Sequence, residues 1–218
     1  METAKTGWEI IPHYWKAIRK FSLEISRYAH TSVGIENKYI YSFGGKDENS
    51  SKSIERYTLD NESEILADLN FPRYFSSACS FGDKYIYVYG GYDFISKQLL
   101  NKIERINHLN PKVSPSLYEL DQSELPALSG SIIKQFDENK ILILGGKAKK
   151  FNKNVIYFDC NELTTKSEHL NGKNMNNITN ILNYQTDSFI VENEQGNHHN
   201  LYIIDWIFNA YSLRTIII

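Results

Sequence analysis

The chain has 218 residues, a net charge of −2 and a pI near 6.3, and 41% of its residues are hydrophobic. That length suits one large all-β domain or two small ones, with a substantial core. The near-neutral charge excludes a strongly basic nucleic-acid binder and a protein held electrostatically on a membrane. Fifteen Tyr and eleven Phe, many alternating with aliphatic residues, favour strands over helices, because bulky side chains pack well on a pleated surface.

In chain order, Ile10-Ile11 and YWKAIRKF (14–21), which carries Trp15, predict the trailing strands of a unit that begins earlier. Arg27-Tyr28 then opens AHTSVGI (29–35), followed by KYIYSFGG (38–45), a polar loop, SIERYTL (53–59) and EILADL (64–69). The same series returns as Arg73-Tyr74, FSSACSF (75–81), KYIYVYGG (84–91), KIERINHL (102–109) and SLYEL (116–120). A third series opens near Pro126-Ala127 and runs through NKILILGG (139–146), NVIYFD (154–159) and SEHL (167–170). Four further strands, at 178–184, 187–193, 201–207 and 212–218, form a degenerate unit in which Asn193-Glu194 replace the glycines.

The glycine pairs Gly44-Gly45, Gly90-Gly91 and Gly145-Gly146 are 46 and 55 residues apart, and Arg27 and Arg73 each stand 17 residues before their own pair. Four short strands in about 46 residues make one blade of a β-propeller, and a blade must stack on its neighbours to bury both faces. A residue without Cβ at the end of the second strand allows φ > 0 and a close approach of backbones there.

An Arg near the blade start, an aromatic-rich second strand ending in Gly-Gly and an aromatic third strand resemble the kelch repeat over residues 26–170. The resemblance implies a single all-β, kelch-type propeller domain over 1–218. Residues 1–25 would be trailing strands of a preceding blade, 26–71, 72–125 and 126–177 clear repeats, and 178–218 a degenerate repeat. Kelch propellers usually sit in the upper half of the four-to-eight-blade range, which needs a longer chain. The expectation is therefore an incomplete, open arc of about four four-stranded blades, whose exposed faces would favour self-association.

Catalytic motifs are hard to find. The six histidines (His13, His30, His108, His169, His198 and His199) lack metal-ligand spacing, and His198-His199 would point to opposite faces of a strand. Cys79 and Cys160 lie in different repeats and read as buried thiols rather than a disulfide. GGKAKK (145–150) fails as a phosphate loop, because Ile141 stands where Gly is needed and Ala148 where a hydroxyl is needed. Neither a Gly-x-Ser-x-Gly elbow nor a sialidase-type turn is present, so no cofactor, metal or catalytic residue is expected. With no signal-peptide core and no apolar run long enough to cross a bilayer, the expected location is cytoplasmic, and the Asn-x-Ser/Thr tripeptides at Asn49, Asn61 and Asn177 read as chance.

The resemblance implies a non-catalytic protein–protein interaction module, a scaffold or adaptor, with a cytoskeletal or ubiquitin-ligase component as partner. In a four-stranded blade, the loops that enter strand one and those that join strands two and three emerge on the same face. Among these loops, Lys46, Asp47, Tyr92, Asp93, Phe94, Lys147 and Phe151 are the candidate contact residues, because they do not repeat from unit to unit. Arg27 and Arg73, repeated at fixed offset, read as structural, bonding carbonyls between blades. The alternatives are a propeller enzyme or carbohydrate-binding remnant, copper-oxidase-like or lectin-like, and a truncated copy with little function of its own.

Overall fold

The computed structural model describes residues 4–11, 16–36, 38–46, 51–58, 62–118, 120, 124–150, 152, 154–169, 178–185, 188–195, 198–205 and 210–217; over 4–22 and 169–217 it is the strand backbone that is described. Strands β1 (Ala4–Ile11) and β2 (Lys16–Arg27) pair antiparallel. Then come β3 (Thr31–Ile35), β4 (Tyr39–Phe43), β5 (Ile54–Thr58) and β6 (Ser63–Ile65), paired in chain order into one antiparallel sheet.

The second sheet is built from β7 (Ser77–Phe81), β8 (Tyr85–Tyr89), β11 (Ile103–Asn107) and β12 (Ser116–Tyr118). Between its second and third strands stands a small hairpin, β9 (Tyr92–Asp93) with β10 (Gln98–Leu99). The third sheet is β13 (Ser129–Gln135), β14 (Lys140–Lys147), β15 (Asn154–Asp159) and β16 (Thr164–His169). The fourth is β17 (Ile178–Gln185), β18 (Ser188–Gln195), β19 (His198–Asp205) and β20 (Ala210–Ile217). Among the described residues there is no helix, so none is long and apolar enough to cross a membrane. This is the all-β, blade-by-blade meander that the repeat predicts.

Strand ends depart from the pattern in small ways. The fourth strand of the first blade stops at Ile65, although the apolar run continues to Leu69: Leu66 N still bonds Ile54 O in register, but Leu69 N bonds Lys52 O one residue out of register. In the degenerate unit, β18 runs eight residues through Asn193-Glu194, as β14 runs through Gly145-Gly146, whereas β4 and β8 of the first two blades stop before their glycines. The hairpin of β9 and β10 falls in a stretch whose period gives no strand signal.

The core lies between the sheets rather than within one. Tyr41, Phe43, Ile54 and Ile35 of the first blade meet Ile86, Val88 and Ile106 of the second. On the other face of the second blade, Cys79, Tyr87, Tyr89 and Ile103 meet Ile133, Ile141, Ile143, Ile156 and Phe158 of the third. Alternation along β7 and β8 sends successive side chains to opposite neighbours, so the second blade is apolar on both faces. Burying each such side chain contributes about 1.5–3 kcal/mol, and no single blade can obtain that alone.

Main-chain bonds join the blades at their inner ends. Gly45 N donates to Arg73 O at 2.8 Å, and Gly91 N donates to Leu128 O at 2.8 Å. The first glycine of each of these two pairs meets this neighbouring carbonyl closely. A Cβ on Gly44, where φ is +59°, would lie 2.3 Å from Arg73 O, and one on Gly90, where φ is +65°, would lie 2.4 Å from Leu128 O. The double glycine therefore marks the place where one blade's backbone rests against the next.

Candidate interaction site

Above each glycine pair, the segment entering the blade is bridged to the residue that follows the glycines. The pairs are Tyr28 with Lys46, Tyr74 with Tyr92 and Ser129 with Lys147. These bridges bring the loops entering strand one and those joining strands two and three side by side on one face, as the blade topology requires.

A buried ion pair holds this arrangement in the first two blades. Arg27 Nη1 donates to Gly44 O at 2.8 Å and to Ser53 O at 3.2 Å, and its Nη2 lies 2.9 Å from Glu55 Oε2. Arg73 repeats the set, with Gly90 O at 2.9 Å, Lys102 O at 3.2 Å and Glu104 Oε1 at 2.5 Å. All four side chains are fully buried, 0% exposed. Burial pulls the Arg73 guanidinium below its ordinary range, and the charge of Glu104 opposes that pull. Each glutamate also grips the chain entering its blade: Glu55 Oε1 accepts from Ile25 N at 2.8 Å, and Glu104 Oε2 accepts from Asn70 N at 2.6 Å. The carbonyls held by each arginine belong to its own blade, not to the next as expected. In Arg73 a blade-to-blade bond is made instead by the main-chain oxygen, which accepts from Gly45 N.

In the third blade the counterpart of Arg73 is Leu128, whose carbonyl accepts from Gly91 as that of Arg73 accepts from Gly45. The expected opening at Pro126-Ala127 is thus two residues early. The counterpart of Glu104 is Ile156, by its place in the strand pairing.

On the loop face, the first two blades present a cluster of rings. Tyr74 lies 5.5 Å from Tyr92 in an edge contact and 5.1 Å from Phe75. Lys46 crosses from the first blade to place Nζ 4.0 Å from the centre of Phe94 and 5.8 Å from that of Tyr74. Phe75, Phe94 and Ile95 are 52%, 44% and 71% exposed. Asp93 is only 6% exposed, and its carboxylate accepts from Ile95 N at 2.8 Å and Ser96 Oγ at 2.7 Å. It thereby shapes the turn that presents Phe94 and Ile95.

The structure brings Lys46, Tyr92, Asp93 and Phe94 together in this cluster. Lys147 stands exposed on the corresponding loop of the third blade with Lys149 and Lys150. Asp47 and Phe151 lie outside the described residues. Sequence reasoning missed Phe75, which sits inside a run that reads as plain strand, and Glu55 and Glu104. Both glutamates were signalled by the shared Ile-Glu-Arg of β5 and β11.

Residues 72–115 match the family model of the Kelch motif. That stretch is a kelch repeat. It contains Arg73, Gly90-Gly91, Glu104 and every ring of the cluster, so the kelch motif and the rings of the candidate surface occupy the same blade, while Lys46 reaches in from the first. The kelch motif points to an interaction-scaffold kind of domain. No curated protein matches the chain.

Proposed function

We propose that this chain is a non-catalytic protein–protein interaction module that captures its partner on the loop face of the first two blades. The observation that carries the reading is the exposure of Phe94, Ile95 and Phe75 around a chain of contacts that runs from Phe75 through Tyr74 and Lys46 to Phe94, with Tyr92 against Tyr74. Exposed aromatic groups on a rigid support, with a cation among them, have the composition of interface hot spots. The buried charges support binding over turnover: Arg27, Glu55, Arg73 and Glu104 are closed inside the blades and used for folding.

The test is affinity purification, from cells that express the protein, with the wild-type chain and with Phe94→Asp/Ile95→Asp. Both substituted side chains are exposed, so the fold should survive, as circular dichroism would show. The expected result is a protein recovered by the wild type and lost by the double variant. Equal recovery by both would remove this face from the reading. Turnover of a small substrate by the purified chain, with no protein partner found, would overturn it altogether.

A further inference from the structure

Phe75 is held where the fold does not favour a large side chain. Its φ is +53°, in the left-handed region, and the equivalent residues of the neighbouring blades are Ala29, at φ +53°, and Gly130, at φ +63°. The conformation is imposed by the blade-to-blade ladder: Phe75 N donates to Ala29 O at 2.9 Å, and Phe75 O accepts from Gly130 N at 2.8 Å. At this position a bulky L-residue is strained, and glycine fits without strain. The ring recovers little from burial, since Phe75 is 52% exposed and touches Tyr74 on one side. A strained and exposed aromatic residue in an over-determined backbone is a mark of function.

We propose that Phe75 is the apolar anchor of the loop face, and that its ligand is a peptide segment carrying an apolar side chain with a carboxylate beside it. The proposal rests on the reading of this face as the partner site, and it adds the chemistry of what is bound. The apolar requirement comes from Phe75, Phe94 and Ile95, all exposed, with Phe75 and Phe94 linked through Tyr74 and Lys46. The acidic requirement comes from the charge around that cluster. Lys46 lies inside it, Lys97 is exposed on the same loop as Phe94, and Lys147, Lys149 and Lys150 are exposed on the next blade's loop. Within the cluster itself, the carboxylate of Asp93 is turned inward onto its own loop. An incoming carboxylate would meet ammonium groups while its apolar neighbour covered the ring.

The test uses the full chain with Phe75→Gly and, as control for the face, Phe94→Ala. The probes are two pools of short labelled peptides, each with a central Leu or Phe, flanked by Asp and Glu in one pool and by Lys and Arg in the other. Wild type should retain the acidic pool, and Phe75→Gly should weaken that binding about tenfold or more. At the same time, Phe75→Gly should melt at or above the wild-type temperature, since glycine relieves the strained backbone. A lower melting temperature would make the ring structural and overturn the proposal. Unchanged binding by Phe75→Gly together with a loss in Phe94→Ala would remove Phe75 as anchor and leave the face intact. Retention by wild type of the basic pool, or of neither pool, would overturn the ligand chemistry.

Discussion

The first two blades close their inner ends with a buried ion pair, Arg27 with Glu55 and Arg73 with Glu104, and the third closes the same place with Leu128 and Ile156. The backbone is alike in all three: Leu128 accepts from Gly91 at the same 2.8 Å at which Arg73 accepts from Gly45. Part of what the arginine does is taken over locally, for Asn152 Nδ2 donates to Asn154 O at 2.8 Å, the counterpart of the Ser53 and Lys102 carbonyls. The blade therefore needs its carbonyls satisfied and its interior filled, and charge is one of two ways to do both. A buried pair gains little over well-packed hydrocarbon, but half of such a pair is severely unfavourable.

The largest effect should come from splitting a pair. Arg73→Ala leaves Glu104 buried without its cation and should cost about 3–5 kcal/mol in urea unfolding followed by far-UV circular dichroism. Copying the third blade, with Arg73→Leu and Glu104→Ile together, should lose less than either single change. The residual loss should be about 1–3 kcal/mol, because Asn70 N and Nδ2 also give up their acceptor. If the double variant is as unstable as the sum of the singles, the third blade is a different structure and not an equivalent one.

A second contrast separates glycines that touch a neighbour from glycines that do not. Gly90→Ala would put its Cβ 2.4 Å from Leu128 O, and the blades must move apart, at a cost of about 3 kcal/mol or more. Gly130 also has positive φ, +63°, but nothing lies within 4 Å of its would-be Cβ. Gly130→Ala should cost only the left-handed penalty of about 1–2 kcal/mol, which Ala29 already bears in the first blade. Equal losses for the two variants would mean that backbone conformation, and not blade contact, selects the paired glycines.

These contrasts also show what a sequence can display. The paired glycines and the aromatic strands were legible because each blade repeats the same backbone demand, and repetition separates signal from chance. Glu55 and Glu104 were visible as letters and opaque as roles: a charge in an alternating strand reads as the solvated face, and only the spatial return of Arg27 and Arg73 shows otherwise. Leu128 and Ile156 carried no mark, because a change from ion pair to hydrocarbon erases the repeated letters while it preserves the shape. The candidate surface was half legible. Lys46, Tyr92 and Phe94 stand in loops that do not repeat, whereas the exposure of Phe75 depends on a φ angle that its run of strand-forming neighbours does not announce.

The smallest effect expected concerns His30, and it sharpens the same comparison. His30 occupies the position of Ser76 and Ser131 in the next two blades, and its Nδ1 is buried without a partner. Burial holds its pKa below the ordinary value of 6.5, and the charge of Arg27 lowers it further against an opposing Glu55. As pH falls through 6.5, the unfolded chain takes up a proton that the folded chain resists, so the unfolded state gains. Stability is then lost progressively until the folded-state pKa is passed, below which the loss is complete. His30→Ser, which installs the residue of the other two blades, removes this term. The wild type should therefore show a larger drop in urea midpoint between pH 7 and pH 5 than the variant. An equal drop in both would assign the acid sensitivity elsewhere. A larger drop in the variant would mean that His30 is stabilised as the cation, with Glu55 outweighing both burial and Arg27.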